Sequence, residues 1–329
     1  MKEIKSSDYS VWIGDHSFSK LNISAYSKIA ILVDENTKRY CFPKLQKLEN
    51  SIVIEIKSGE EYKNINTCNF IWEQLTEHNF DRNSLLINLG GGVIGDMGGL
   101  CASTYKRGID FVQIPTTLLS MVDASSGGKV GINFNQFKNH IGLFNNPKAV
   151  FISIDFLESL PENQLKSGFA EVVKHALISD NSLWKRLLSI PFVDLDWEDI
   201  IETSVHIKNK IFSADPFEKG ERKKLNFGHT FGHAIESYYL EKGTPILHGE
   251  AVFMGMILET EISHLSETDK NEIKNYILSN FALPYTPKKY NLHKFLINDK
   301  KNQSGKINFS LLNKIGNCTI DNLFSTDEL

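Results

Sequence analysis

Cysteine is scarce and scattered. The 329-residue chain has four, Cys41, Cys68, Cys101 and Cys318, with no C-x-x-C pair, a pattern that excludes both a zinc ribbon and a disulfide framework. Reduced thiols of a cytoplasmic protein fit best. The opening "MKEIKSSDYSVWIG" lacks the apolar core of a signal peptide, and no later run approaches the roughly 18 apolar residues that a membrane span requires. Basic runs of five or more residues are also missing; with 36 Lys and Arg against 40 Asp and Glu, the formal charge is -4. No footprint for nucleic acid or an anionic membrane is visible, so the expected ligands are small molecules. Internal repeats and low-complexity tracts are lacking too. What remains is a globular chain, 41% hydrophobic and long enough for about two domains.

The first half alternates apolar β-rich runs with amphipathic stretches: "IAILVD" (29–34), "SIVIEI" (51–56), "SLLINL" (84–89), "FVQIP" (111–115) and "AVFISI" (149–154). Continuous runs of this kind suit parallel strands buried on both faces, with helices as crossovers, hence an α/β nucleotide-binding architecture. From Leu160 onward the apolar spacing becomes three and four residues and strand-like runs nearly vanish, predicting a mostly α-helical second domain. The boundary is expected near residues 155–160, giving domains 1–157 and 158–329, with an active site in the cleft between the halves.

"GGGVIGD" (90–96) follows the run "LLINL". Gly90, Gly92 and Gly95 satisfy G-x-G-x-x-G, which lets a backbone approach a pyrophosphate. The dinucleotide fingerprint belongs in the first βα unit, however, and this loop follows the third β-rich run. It is either a tight turn or part of a nucleotide fold with another strand order. Asp34 and Asn36, ending the first such run, stand where ribose hydroxyls could be bonded, or in a solvated loop.

In "LNFGHTFGHAIE" (225–236), His229 and His233 lie four apart and share a helix face. Two such imidazoles can ligate a metal, but Thr230 stands where the zinc proteases carry their glutamate base, so a protease reading fails. An ordinary polar helix face is the alternative.

The run from Gly90 to Gly142, then "SGFAEVVKH" (167–175), "LNFGHTFGHAIE" and "LHGE" (247–250), closely resembles the 3-dehydroquinate synthases, in order and across nearly the whole chain. The resemblance implies an NAD-binding α/β domain joined to a helical metal-binding domain, and a homodimer. It implies conversion of 3-deoxy-D-arabino-heptulosonate 7-phosphate, a small sugar phosphate, to 3-dehydroquinate and phosphate. The steps it implies are oxidation at C4, β-elimination of phosphate, re-reduction and aldol closure, with the NAD ending as it began. It maps Zn2+ or Co2+ to Glu171, His229 and His248, and turns His233 toward the substrate. It maps NAD to Asp34, Asn36, Glu60, Lys63, Gly91, Gly92, Asp96, Thr116, Thr117, Lys129, Lys138 and Gln164. Substrate and catalytic roles fall to Asp123, Lys129, Asn139, Lys174, Lys208, Glu218, Arg222, Asn226 and His233. Arg222 resembles the carboxylate-binding arginine, Arg107 a residue contributed across the dimer, and Lys300 or Lys301 a phosphate contact. Val130 and Phe137 replace the family's usual threonine and glycine, and His175 stands where tyrosine is frequent. Related cyclases making an inosose or a valiolone would share NAD, metal and glycine loop but need no carboxylate clamp, whereas a polyol dehydrogenase would release NADH. A binding protein that had lost turnover is the remaining alternative.

Overall fold

The structure, a computed structural model, describes all residues except 7, 16, 46–50, 136, 298–301, 303, 304, 326, 327 and 329. It divides into two compact units, Met1–Pro161 and Glu162–Leu329.

In the first unit the chain runs β1 (Lys2–Lys5), β2 (Ser10–Ile13), β3 (Ile29–Asp34), α1 (Glu35–Tyr40), β4 (Ser51–Ile56), α2 (Ile65–Glu77), β5 (Leu85–Gly90), α3 (Gly92–Thr104), β6 (Asp110–Pro115), β7 (Lys129–Phe134), β8 (Phe137–Phe144) and β9 (Ala149–Ile152). A seven-stranded sheet has the order β1-β2-β9-β6-β5-β3-β4. Only β1 meets its neighbour antiparallel; the other pairings are parallel. All six residues of β5 are buried, as expected of a central strand covered on both faces. Its helix-side core includes Leu32, Ile54, Ile71, Leu75, Met97 and Phe111.

The strand order is the second of the two readings the glycine loop allowed, a sheet ordered differently from the dinucleotide fingerprint. After β3 the chain steps outward to β4, then returns to the other side of β3 for β5 and continues through β6 to β9. Direction therefore reverses between β3 and β5, and at such a switch point the two C-terminal strand ends diverge and open a crevice. Asp34 ends β3, Gly90 ends β5 and Gly91 and Gly92 open α3, so the acidic residue and the glycines stand at neighbouring C-terminal strand ends, although the glycines are not in the first βα unit.

Strands β7 and β8 form a separate hairpin, in a stretch that carries no apolar run of the parallel-strand kind. Val130, in place of the usual threonine, is a core residue 6% exposed. It packs against α3 where Gly99 leaves room: a Cβ there would lie 2.4 Å from Val130 Cγ1. Phe137, in place of glycine, is exposed and lies beside the His140 ring.

The second unit comprises α4 (Glu162–Ser179), α5 (Asn181–Ser189), α6 (Trp197–Ala214), α7 (His229–Glu241), α8 (His248–Glu261), α9 (Glu267–Asn280) and α10 (Lys289–Leu296), followed by a hairpin of β10 (Ile307–Lys314) and β11 (Asn317–Phe324). That hairpin departs from the expectation that strands nearly vanish. Residues 167–178 of α4 are all buried, which makes α4 the unit's central helix. Phe231, Ile235, Met254, Leu258, Leu292, Ile307 and Phe309 join α7, α8, α10 and β10 in one core, each large side chain contributing about 1.5–3 kcal/mol by leaving water. The histidine segment is shorter as a helix than its apolar spacing suggests. Residues 221–226 form a 3-10 turn, and Gly228, at φ +80°, sets the α-helical start at His229.

Candidate active site

Close helix approach builds the centre of the second unit. Gly249 donates its backbone N–H to Ser167 Oγ at 2.9 Å, and a Cβ on Gly249 would lie 2.0 Å from the Ser167 carbonyl oxygen. The first turn of α8 thus rests directly on α4, one turn before Glu171. On the other side, a Cβ on Gly255 would lie 2.0 Å from the Gly228 carbonyl oxygen and 2.7 Å from the Gly232 nitrogen. That places α7 equally tightly on α8. The ligand candidates His229 and His248 are the first residues of α7 and α8, and the three helices bring them onto Glu171.

Glu171 Oε1 lies 3.4 Å from His229 Nε2 and 3.7 Å from His248 Nε2, and the three donor atoms lie within 4.8 Å of one another. Oε1 is buried and has no hydrogen-bond partner among the described residues. Tetrahedral zinc bonds of about 2.0–2.1 Å put ligand atoms about 3.3–3.4 Å apart, so this spacing fits a shared cation. The outer ring nitrogens agree. His229 Nδ1 lies 3.2 Å from the Phe227 carbonyl oxygen and His248 Nδ1 lies 3.4 Å from Glu236 Oε1. An outer acceptor at Nδ1 fixes the tautomer that leaves Nε2 free to ligate.

Lys174, one turn along α4, pairs with the other oxygen of Glu171 within the buried interior. Burial would raise the Glu171 carboxyl, but Lys174, His229 and His248 together hold it well below the usual carboxylate range. Burial works against the charged form of His248 as well, yet Glu236 and Glu171 push it up to about 10. The two carboxylates, Glu171 and Glu236, thus favour positive charge at His248, whether a proton or a metal cation in its place. His233 is exposed; its ring centroid lies 5.4 Å from that of His229 and 6.5 Å from that of His248, and it is not part of the three-donor group. His175 is fully buried on α4.

A second cluster precedes α7. Asp215, just beyond α6, folds the following loop around its carboxylate: Oδ1 accepts from Lys219 N at 3.0 Å, and Oδ2 accepts from Gly220 N at 2.7 Å and Arg222 N at 3.1 Å. Glu218 takes a left-handed φ of +59° in this loop, and its Oε1 accepts from Asn226 Nδ2 at 3.0 Å. Arg222 is 3% exposed. Its Nη1 donates to the Pro216 carbonyl at 2.7 Å, and its guanidinium sits 5.0 Å from the Phe212 ring centroid. Lys208 is buried on α6. Gln164 is half-buried in the first turn of α4. Lys300 and Lys301 lie outside the described residues.

In the first unit, several expected nucleotide residues gather through polar bonds. Lys63 is buried, and its Nζ donates to Asp96 Oδ2 at 2.6 Å and to Asn139 Oδ1 at 2.5 Å. Asn133 extends the network, donating to Glu60 Oε1 at 2.9 Å and accepting from Asn139 N at 2.8 Å. Gly91 and Gly92 start α3 beside Thr116 and Thr117: Thr116 N donates to the Gly90 carbonyl, and a Cβ on Gly91 would meet Thr117 Cγ2 at 3.2 Å. Asp34 caps α1 by accepting from Thr37 N at 2.7 Å; burial raises its carboxyl against that bond. Asn36 is exposed in α1, Asp123 half-buried in the turn after β6, and Lys129 and Lys138 are exposed on the hairpin. Arg107 is exposed between α3 and β6, at the opposite end of the sheet from the glycine loop.

Glu236, Asp215 and Asn133 are contributors that the sequence reading missed. Glu236 had a signal: it stands seven residues after His229, on the same helix face.

The sequence model described as 3-dehydroquinate synthase N-terminal matches residues 53–167, and that described as 3-dehydroquinate synthase C-terminal matches 168–302. The 3-dehydroquinate synthase of Parabacteroides distasonis is 40% identical over 319 residues, covering 92% of this chain and 90% of that protein. Among solved structures, a 2-deoxy-scyllo-inosose synthase complexed with carbaglucose-6-phosphate, NAD+ and Co2+ shares the fold, with a TM-score of 0.87 and 24% identity over 99% of this chain and 97% of that one. The 2-epi-5-epi-valiolone synthase of Streptomyces hygroscopicus, with NAD+ and Zn2+ bound, shares it at a TM-score of 0.83 and 23% identity over 100% and 96%. With both halves of the chain matched in order and two helices presenting histidines to one buried glutamate, this chain belongs to the 3-dehydroquinate synthase family.

Proposed function

We infer that this chain is an NAD- and metal-dependent carbon–oxygen lyase that converts 3-deoxy-D-arabino-heptulosonate 7-phosphate to 3-dehydroquinate and phosphate, the step that places it in the shikimate route to aromatic amino acids. The convergence of Glu171 Oε1 with the Nε2 atoms of His229 and His248 carries the reading. A buried carboxylate oxygen without a hydrogen-bond partner among the described residues, facing two imidazoles whose outer nitrogens meet acceptors, is a donor set suited to Zn2+ or Co2+. Bound there, the cation would polarise a substrate hydroxyl while NAD supplied a reversible hydride acceptor.

The chain's own residues do the rest. Arg222, already oriented by Pro216 and Phe212, grips the substrate carboxylate through its planar guanidinium. Lys129 and Asn139 of the hairpin hold the phosphate and ring hydroxyls, with Asp123, Lys208, Glu218 and Asn226 fixing the ring and Lys300 or Lys301 adding a phosphate contact, while Lys138, and Lys129 on its other side, face the NAD. Lys174 neutralises the outer oxygen of Glu171, and His233 faces the substrate rather than the metal. Asp34, Asn36, Glu60, Lys63, Gly91, Gly92, Asp96, Thr116, Thr117 and Gln164 form the nucleotide site; the switch-point crevice between β3 and β5 supports this. The first unit is then the NAD-binding domain and the second the metal- and substrate-binding domain. Four buried free thiols support a reducing, cytoplasmic setting. No described helix is long and apolar enough to cross a membrane. The family resemblance favours a homodimer, with Arg107 reaching across it.

The test is conversion of the heptulosonate phosphate by purified protein with zinc and NAD, followed by NMR. One dehydroquinate and one phosphate per substrate are expected. NADH accumulating in step with substrate loss, without phosphate, would point instead to a polyol dehydrogenase.

A further inference from the structure

The helix that begins at His229 has no cap of its own. Its N-cap position is Gly228, at φ +80°, where a Cβ would lie 2.5 Å from Met256 Cγ and 3.2 Å from the Val252 carbonyl oxygen. The Ser, Thr, Asp and Asn side chains that usually accept the first amides have no room here. Those amides are nonetheless bonded. Glu259, on α8 and 0% exposed, accepts from Gly228 N at 2.6 Å through Oε2, and from Thr230 N at 3.0 Å and Phe231 N at 3.1 Å through Oε1. Three donors converging on two oxygens call for an acceptor-only group, which is the ionised carboxylate.

Placement gives this cap a consequence. His248 opens α8 and Glu259 stands about three helical turns later on the same side. One helix therefore presents a ligand at its start and, further along, fastens the N-terminus of the helix that presents another. A helix N-terminus also carries roughly half a positive charge, and His229 is its first residue, so an uncapped α7 would set that charge near any cation held by His229.

We propose that Glu259 is a positioning residue of the metal centre: by capping α7 from α8 it fixes His229 against His248, and its charge offsets the helix terminus that would oppose a divalent cation. The proposal rests on the metal reading above.

The experiment is zinc affinity of the metal-free, full-length protein by chelator competition, with thermal unfolding measured alongside, in wild type, Glu259→Gln, Glu259→Asp and His229→Ala. Glutamine is isosteric but uncharged and turns an amide NH2 toward backbone N–H groups, so zinc should bind about ten- to a hundredfold more weakly. Aspartate keeps the charge on a shorter stem and should fall between wild type and glutamine. NAD affinity should be unchanged in both. If the glutamine variant does not fold, the aspartate variant alone decides, against wild type. Wild-type zinc affinity in the deciding variant, including lowered thermal stability with unchanged affinity, would overturn the proposal and leave Glu259 a fold residue. Unchanged zinc affinity in His229→Ala would overturn the metal reading itself, and this inference with it.

Discussion

If Arg222 grips the substrate carboxylate as proposed, substrate choice turns on it. Held by the Pro216 carbonyl and stacked on Phe212, its planar fork is set before any substrate arrives. Removing it should cost about 1.5–3 kcal/mol of binding to the heptulosonate phosphate, roughly 10- to 150-fold. Arg222→Lys should recover only part, because an ammonium reproduces neither the fork nor the stacking. Affinities for the substrate and for an analogue lacking its carboxylate decide the matter. If Arg222→Ala still prefers the acid, the clamp lies elsewhere. The histidines give a second residue-scale expectation. His233→Ala should keep its zinc and lose rate, whereas His229→Ala and His248→Ala should lose most of the metal, and Glu236→Gln should weaken zinc about 10- to 100-fold; metal content of the purified variants reads this directly. In the sequence, His229 and His233 are equivalent members of one helix face. Their spacing alone does not tell ligand from bystander; the family resemblance separates them in the sequence, and in the structure Glu171 does so by reaching His229 from a different helix.

At the scale of elements, small residues decide how closely the ligand-bearing helices approach. Gly255→Ala would drive a methyl group into the Gly228 carbonyl, and since backbone cannot swing aside, α7 and α8 must separate. A loss of about 1–3 kcal/mol in stability is expected, together with weaker zinc binding. Gly243→Ala is the control: it meets nothing within 4 Å and suffers only its φ of +72°, so it should leave zinc affinity unchanged. Denaturation and zinc titration of the pair separate packing from strain. Asp215 organises the other element of the site. Burial would raise its carboxyl, but the amides of Gly220, Lys219 and Arg222, with the Arg222 charge, hold it below the ordinary Asp value. Its ordering of the loop is therefore fully present above that value and is lost as pH falls through the lowered one. Protection of the Gly220 amide from exchange should persist through the usual Asp range and then collapse, and in Asp215→Asn the acid step should vanish. Strands β3 to β6 were legible because β-branched and other apolar residues dominate each short run. The hairpins β7–β8 and β10–β11 were not, because polar residues interrupt them and their pairing depends on partners rather than on period. Glu259 was hidden for a similar reason: its role exists only where α8 meets the start of α7.

For the molecule as a whole, the metal residues lie in the second compact unit and the proposed nucleotide residues, Gln164 apart, in the first, and this makes their loss separable. Asp34 stands at the end of β3 in the first unit, and His248 opens α8 in the second. Removing Asp34 takes away one carboxylate, a group able to accept from ribose hydroxyls, and charge-assisted bonds of this kind contribute about 1.5–3 kcal/mol. Asp34→Ala should therefore raise the NAD dissociation constant about 10- to 150-fold, part of which reflects the lost cap of α1, while zinc content stays at the wild-type level. His248→Ala should do the reverse, losing metal while NAD still binds. Both variants should lose phosphate release, because the reaction needs hydride transfer and metal polarisation in the same turnover. The wild-type enzyme, given NAD well below the substrate concentration, should nevertheless convert all of the substrate with no net NADH absorbance, since each equivalent of hydride removed from the sugar is returned to it. NAD titration, metal analysis and phosphate release on the same three proteins make the measurement. If Asp34→Ala strips zinc, or His248→Ala abolishes NAD binding, the assignment of one cofactor to each unit is wrong; if phosphate release stops after one turnover per NAD, the hydride is not returned and the cyclase chemistry fails with it.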